Sequence, residues 1–198
     1  YPTLGAYNSM QSPYFNWYKF NNWPDQYESW WGFDTLPDVD ENCPEYLDFI
    51  TGKEGIALKW LSRGSSGWRL DVADELPNGF LEKFRKAVKQ YDPDAVIIGE
   101  VWEDASNKIS YHQRRKFLLG GQLDSVMNYP FRRAIIDYIK GGPAINLVNT
   151  VMSILENYPP QCTRILMNSL GTHDTDRIIT AIAGEDKGNN GREWQAER

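Results

Sequence analysis

The spacing of apolar residues becomes regular at about residue 43 and from there switches between two periods. Apolar positions three and four apart predict amphipathic helices over residues 44–64 and 79–91. Between and after them, two short runs dense in apolar and β-branched residues predict strands over residues 68–73 and 95–101. The near-continuous apolar content of the second run is typical of a parallel strand that is covered on both faces.

The second half of the chain continues this alternation of helix and strand. We predict a strand over residues 124–129, helices over 131–140 and 147–157, and a strand over 164–170. Such an order indicates βαβ units and a parallel sheet, either a barrel or a doubly wound sheet. Because no glycine-rich phosphate loop follows any of the strands, the sequence does not support a nucleotide-binding doubly wound fold, and we predict an α/β barrel.

Residues 1–42 have a different texture, crowded with aromatic residues and turn formers and without a clear period. We predict a loop-rich domain over residues 1–42 and a second domain over 43–198. A complete (β/α)8 barrel takes about 250 residues, whereas this chain has 198. We therefore expect only part of a barrel, and the chain looks cut at its start, Tyr1.

Composition and charge narrow the function classes. Hydrophobic residues make up 41% of the chain and charged residues 24%, as in an ordinary globular domain. A net charge of -6 gives no electrostatic footprint for nucleic acid or an anionic membrane, and no apolar run is long enough to span a bilayer. Cys43 and Cys162 lack CxxC spacing, so we expect thiols outside any disulfide or zinc site.

Acidic residues stand at the ends of three predicted strands: Asp71, Glu100 and Asp174. In barrels the catalytic residues lie at the carboxyl ends of the strands. Side chains two apart on a strand share a face, so Arg69 should point with Asp71, and Glu100 with Trp102. If Asp71 and Glu100 lie about 5 Å apart, they form the carboxyl pair of a retaining glycosidase.

These stretches, residues 67–75, 97–102 and 170–174, resemble the strand-end motifs of the α-amylase superfamily, glycoside hydrolase family thirteen. Two more segments narrow the resemblance. Residues 36–40, Leu-Pro-Asp-Val-Asp, resemble a segment of the oligo-1,6-glucosidase and neopullulanase subfamilies, and residues 127–131, Met-Asn-Tyr-Pro-Phe, resemble a stretch common in neopullulanases and cyclomaltodextrinases.

The resemblance implies a partial (β/α)8 TIM barrel, about strands four to seven with their helices, preceded by the end of an irregular domain B. It implies Asp71 as the nucleophile, Glu100 as the acid/base and Asp174 as the carboxylate that stabilises the transition state. Arg69 and His173 match sugar-binding positions of the family. The family's motif on strand three lies upstream of Tyr1, so part of the pocket is expected to be missing.

Other residues keep two interpretations. Trp102 and Asp74 could shape the acceptor subsites of the resembled family or simply pack, and we assign both to substrate binding. The domain B aromatics Trp30, Trp31 and Phe33 could stack on glucose rings, but we favour a small core. His112 lies in a basic stretch that predicts a solvated helix position.

No metal is assigned, because the segment with Asp38 and Asp40 lacks the regular ligand spacing of a calcium loop. We expect no cofactor in this chain, although calcium is conceivable in a full-length enzyme.

The sequence therefore predicts a retaining α-glucan hydrolase that acts by double displacement on starch oligosaccharides, cyclodextrin or pullulan, with transglycosylation open. The isolated chain is expected to be inactive and to associate through exposed barrel edges. The alternative is a non-catalytic carbohydrate-binding or assembly fragment. Its compartment is undetermined: the resemblance to neopullulanase-like enzymes favours the cytoplasm, and an extracellular location stays open.

Overall fold

The computed structural model describes residues 4–184. The chain divides into two compact units. The first comprises the residues up to 67 together with 76–95, and the second comprises 68–75 together with the residues from 96 onward. The predicted domain boundary between residues 42 and 43, which would separate a loop-rich insertion from a barrel, stays a prediction.

The first unit begins with an irregular, aromatic-rich segment, as predicted. It contains short 3-10 helices at Phe15–Trp17 and Trp30–Gly32 and a small antiparallel hairpin of β1 (Phe20–Asn22) and β2 (Gln26–Tyr27). The prediction that the domain B tryptophans form a core is wrong for Trp31, which is 73% exposed although it stacks on Trp30. Phe33 is exposed as well.

Three helices complete this unit: α1 (Pro44–Thr51), α2 (Ile56–Leu61) and α3 (Asn78–Tyr91). The predicted single helix over residues 44–64 is wrong, because a short non-helical link between Gly52 and Gly55 separates α1 from α2. A Cβ atom on Gly55 would lie 2.8 Å from the Ile50 carbonyl oxygen, so this tight link requires glycine. Helix α3 begins one residue before its predicted start and buries one apolar face, Phe80, Leu81, Phe84 and Val88.

The second unit is built on a three-stranded sheet in the order β3 (Gly67–Leu70), β4 (Val96–Gly99) and β7 (Ser125–Val126). Strands β4 and β7 are parallel, with Ile98 paired to Ser125. All three strands are shorter than predicted. The predicted α/β architecture with a parallel sheet is confirmed.

The strand predicted over residues 164–170 is wrong, because only Met167 pairs, in a parallel bridge with Met127. The Asn128 N–H donates to the Met167 carbonyl oxygen at 2.9 Å. The next residue along, Tyr129, begins helix α4 (Tyr129–Ile139). The ladder ends here because the neighbouring chain turns into a helix and offers no further extended backbone.

Helix α4 is capped by the Asn128 side chain, which accepts a hydrogen bond from the Phe131 N–H. It packs against α5 (Ala144–Asn157), and both predicted helices are confirmed within three residues at their starts. Two short helices were not predicted, α6 (Pro160–Thr163) and α7 (Ile178–Ala183). Cys43 and Cys162 are buried and neither forms a disulfide, as predicted.

A hairpin of β5 (Ile109–Ser110) and β6 (Gln113–Arg114) also belongs to the second unit. The prediction of a helical His112 is wrong: Tyr111 and His112 form the turn of this hairpin, with φ of 51° and 60°. His112 is exposed, as predicted. Over residues 4–184, no helix has the length and apolar content needed to cross a bilayer.

Candidate active site

The backbone around Asp71 departs from a regular strand. The Glu100 N–H donates to the Leu70 carbonyl oxygen at 2.9 Å, and the Ala73 N–H donates to the Glu100 carbonyl oxygen at 3.0 Å. Asp71 and Val72 thus lie opposite one residue, the arrangement of a β-bulge. The prediction of an unbroken strand to residue 73 is therefore wrong, and the bulge places Asp71 just after the strand end at Leu70.

Val72, inside this bulge, has φ of 35°. A β-branched residue is strained in this left-handed region, and such strain clusters at functional sites. The Val72 N–H donates to the Glu100 Oε2 atom at 2.7 Å. The strained residue therefore uses its backbone to hold the side chain of Glu100.

Glu100 follows β4 directly, and its side chain is only 4% exposed. Besides Val72, it contacts the Arg69 Nη2 atom at 3.1 Å and accepts a hydrogen bond from the Trp102 Nε1 atom at 3.2 Å on Oε1. A buried carboxyl group needs such donors, because burial without partners is costly. Glu100 is thus fixed by groups from two neighbouring strands.

Arg69 joins the two predicted catalytic carboxylates. Its Nη1 atom contacts the Asp71 Oδ1 atom and its Nη2 atom contacts Glu100, so the predicted clustering of the three side chains is observed. Desolvation lowers the pKa of Arg69, but the hydrogen bond to Asp71 and the charges of Glu100 and Asp71 outweigh it and the pKa lies above its usual value. The Asp71 side chain is 71% exposed, so it is open to a ligand while Glu100 is sheltered.

Trp102 packs and contacts the site at the same time. Its ring stacks on Tyr129 with centroids 4.1 Å apart and planes 9° from parallel. Its carbonyl oxygen accepts a hydrogen bond from the Arg133 Nη2 atom at 2.7 Å. Tyr129 was not predicted as a site residue; the only sequence signal for it was its place in the segment 127–131.

Asp174 lies in the loop between Met167 and α7, and its carboxylate pairs with the His173 Nε2 atom at 3.1 Å. Its backbone N–H donates to the Thr172 Oγ1 atom at 3.3 Å, and that atom is 3.5 Å from the Tyr129 hydroxyl. The loop is thus connected to the Trp102 side of the site through Tyr129. The His173 side chain is 78% exposed, and its assignment to sugar binding stays a prediction.

The β5–β6 hairpin holds the chain just after the bulge, a feature that sequence analysis missed. Lys108 pairs with the Asp74 Oδ2 atom at 3.0 Å, and the Ser110 hydroxyl donates to the Asp74 carbonyl oxygen at 3.0 Å. The Tyr111 hydroxyl contacts the Glu75 carboxylate. Asp74 therefore has a structural partner, and its assignment to substrate binding stays a prediction.

Within the part of the chain that the structure describes, no group of three or more His, Cys, Asp or Glu side chains is arranged to hold a metal ion. The expectation that this chain holds no metal stays a prediction.

Comparison with known proteins identifies the family. The family described as "Alpha amylase, catalytic domain" matches residues 7–196. Neopullulanase 2 of Thermoactinomyces vulgaris is 39% identical over 133 residues, which cover 66% of this chain and 21% of the relative. A cyclomaltodextrinase of Thermoanaerobacter pseudethanolicus is 35% identical over 184 residues, covering 89% of this chain and 30% of the relative.

A solved structure agrees with these relatives. The cyclic α-maltosyl-(1→6)-maltose hydrolase of Arthrobacter globiformis, in complex with cyclic α-maltosyl-(1→6)-maltose, superposes with a TM-score of 0.77 at 29% identity. The match covers 91% of this chain and 40% of that one. The chain therefore spans less than half the length of each of these three proteins. The predicted partial TIM barrel is confirmed.

Proposed function

Because the chain belongs to the α-amylase catalytic-domain family, we propose that it supplies the catalytic carboxylates of a retaining hydrolase of α-glucosidic bonds. The observation that carries the proposal is the Arg69 guanidinium, which contacts Asp71 with one nitrogen and Glu100 with the other. It sets an exposed and a sheltered carboxyl group side by side. This is the pair that double displacement requires.

In the first step the Asp71 carboxylate attacks the anomeric carbon. The bond from that carbon to the leaving sugar oxygen breaks, and this oxygen takes a proton from Glu100. The products are a glycosyl ester on Asp71 and a free sugar. Arg69 orients the attacking carboxylate and lies next to the negative charge that Glu100 acquires.

In the second step water attacks the anomeric carbon of the ester. Glu100 takes a proton from that water, the bond to Asp71 breaks, and both carboxyl groups return to their starting state. A sugar hydroxyl in place of water gives transglycosylation. Asp174 and His173, on a loop with exposed side chains, are proposed to bind sugar hydroxyls.

For the substrate we propose α-1,4- and α-1,6-linked glucans, meaning starch oligosaccharides, cyclodextrin or pullulan. Support comes from the names of the relatives, a neopullulanase and a cyclomaltodextrinase, and from the maltosyl-(1→6)-maltose ligand of the related structure. Trp31, which is exposed and stacks on the half-buried Trp30, offers an aromatic surface of the kind that stacks on sugar rings.

We also propose that the chain alone has little or no activity and associates through its barrel edges. Transition-state contacts contribute much of an enzyme's rate enhancement, and the match covers 40% of the related enzyme's chain. The second candidate is a carbohydrate-binding fragment, supported by the exposed His173 and Trp31. Calorimetry with maltooligosaccharides, using Asp174→Ala as the control, decides between a binding fragment and an inert one.

The test of the main proposal is a chimera in which this chain replaces the matching segment of the Thermoanaerobacter cyclomaltodextrinase. Reducing-sugar release from β-cyclodextrin, pullulan and starch is compared with that of the same chimera carrying Asp71→Asn. We expect the substitution to reduce the rate by more than about a thousandfold. A chimera with native circular dichroism whose rate does not depend on Asp71 would contradict the proposal.

For the compartment we propose the cytoplasm, on the resemblance to neopullulanase-like enzymes. Immunodetection in fractionated source cells tests this, and a signal confined to the medium or the cell envelope would contradict it.

A further inference from the structure

The two oxygens of the Glu100 carboxyl group have different surroundings. Oε2 accepts the Val72 N–H at 2.7 Å and contacts the Arg69 Nη2 atom at 3.1 Å. Oε1 accepts one hydrogen bond, from the Trp102 Nε1 atom at 3.2 Å. All three partners are hydrogen donors, and none of the three groups accepts a hydrogen bond.

A proton placed on Oε2 would meet the Val72 N–H, whose hydrogen already points to that oxygen, and the positive charge of Arg69 beside it. Oε1 meets one donor and keeps a lone pair for a proton. We infer that Oε1 is the oxygen that carries and transfers the proton, and that Trp102 is the positioning residue that holds it. The transfer of this proton to a substrate rests on the proposed function. The different surroundings of the two oxygens rest on the observed contacts alone.

Trp102 can serve this role because its own ring is fixed. The indole stacks on Tyr129, and Arg133 binds its carbonyl oxygen. The indole N–H therefore has a set direction and donates to Oε1 without a large loss of side-chain freedom.

The assignment also defines what Trp102 does during the reaction. When the proton leaves Oε1 for the sugar oxygen, the charge that remains on Glu100 is met by the indole N–H on one oxygen and by Val72 and Arg69 on the other. Hydrogen bonds to an ionised carboxylate are about twice as strong as neutral ones. The indole contact therefore strengthens as Glu100 releases its proton.

The first test follows the indole N–H resonances of the 15N-labelled chain by NMR against pH. The Trp102 resonance is identified by its loss in Trp102→Phe. We expect it to move with pH in the native chain and to lose this dependence in Glu100→Gln, which is nearly isosteric. The resonance of Trp60, which is 50% exposed and lies in the other unit, is the internal control. A Trp102 resonance with the same pH dependence in both proteins would overturn the inference.

The second test uses the chimera described above. Trp102→Phe keeps an aromatic ring on Tyr129 but removes the N–H, and donors on a carboxylate favour its ionised form. Because the carboxylate forms as the proton leaves, the substitution should lower kcat by about tenfold and leave KM nearly unchanged. An unchanged kcat in an active variant would overturn the role of Trp102. Loss of all activity in the unsubstituted chimera would instead contradict the proposed function, while the NMR result would still decide the contact.

Discussion

Val72 offers a direct test of whether the bulge stores strain. A residue with a Cβ atom in the left-handed region costs about 1–2 kcal/mol, and the φ of Val72 is 35°. Glycine avoids that cost but loses about 0.5–1 kcal/mol to chain entropy relative to alanine. We therefore expect Val72→Gly to be more stable than Val72→Ala by about 0.5–1 kcal/mol.

The comparison of glycine with alanine isolates the backbone, because both variants lack the valine side chain and both keep the N–H that binds Glu100. The matched control is Ala87→Gly in the interior of α3, where glycine should cost about 1 kcal/mol. Urea unfolding followed by tryptophan fluorescence gives the midpoint urea concentration of each variant. The midpoints are compared between variants with equal m-values. A Val72→Ala variant as stable as Val72→Gly would refute strain in the bulge.

Three further outcomes concern the packing behind the site. Gly99→Ala should lower the free energy of unfolding by about 1–3 kcal/mol, because the new Cβ atom would lie 2.4 Å from a methyl group of Leu123. The control Gly79→Ala in α3 places its Cβ atom in open space and should not lower the free energy of unfolding in the same assay. Phe117→Ala, at 0% exposure, should lose about 3–5 kcal/mol, and Leu119→Ala, at 77%, should stay within about 0.5 kcal/mol; equal losses would contradict the burial of Phe117. Burial raises the pKa of Tyr158 to about 12, so the folded state holds this proton more tightly than the unfolded state and stability falls as the pH rises from 10 towards 12. The loss of stability between pH 10 and 12 should be smaller in Tyr158→Phe. An equal loss in both proteins would contradict the raised pKa of Tyr158.

Elements in which the apolar pattern repeats over many residues could be predicted from the sequence. Helix α3 was predicted almost to the residue because its 14 residues repeat one apolar face. The strand predicted over 164–170 failed because an apolar run shows that a segment can be extended, not that a neighbour is there to pair with it. Here Asn128 caps a helix at the place where the ladder would continue.

For the site, motif spacing located Arg69, Asp71 and Glu100, and the structure brings them together. It could not reveal Val72, because its contribution is a backbone N–H in an unusual conformation, and valine is not a residue that turn chemistry favours at positive φ. The hairpin turn at Tyr111 was missed for the same reason, since no glycine or asparagine marks it.

The unequal exposure of the two carboxyl groups fits the roles proposed for them. In the proposed mechanism the nucleophile has to reach the anomeric carbon, and the Asp71 side chain, set at the bulge, is 71% exposed. A group that both gives and takes a proton must keep one geometry in two charge states, because reorganisation between them would add to the barrier. The N–H of Val72 cannot move without unwinding the bulge, and the Trp102 indole is fixed by stacking. The strained bulge thus combines two features: it leaves the side chain of Asp71 exposed, and the backbone N–H of the next residue binds Glu100.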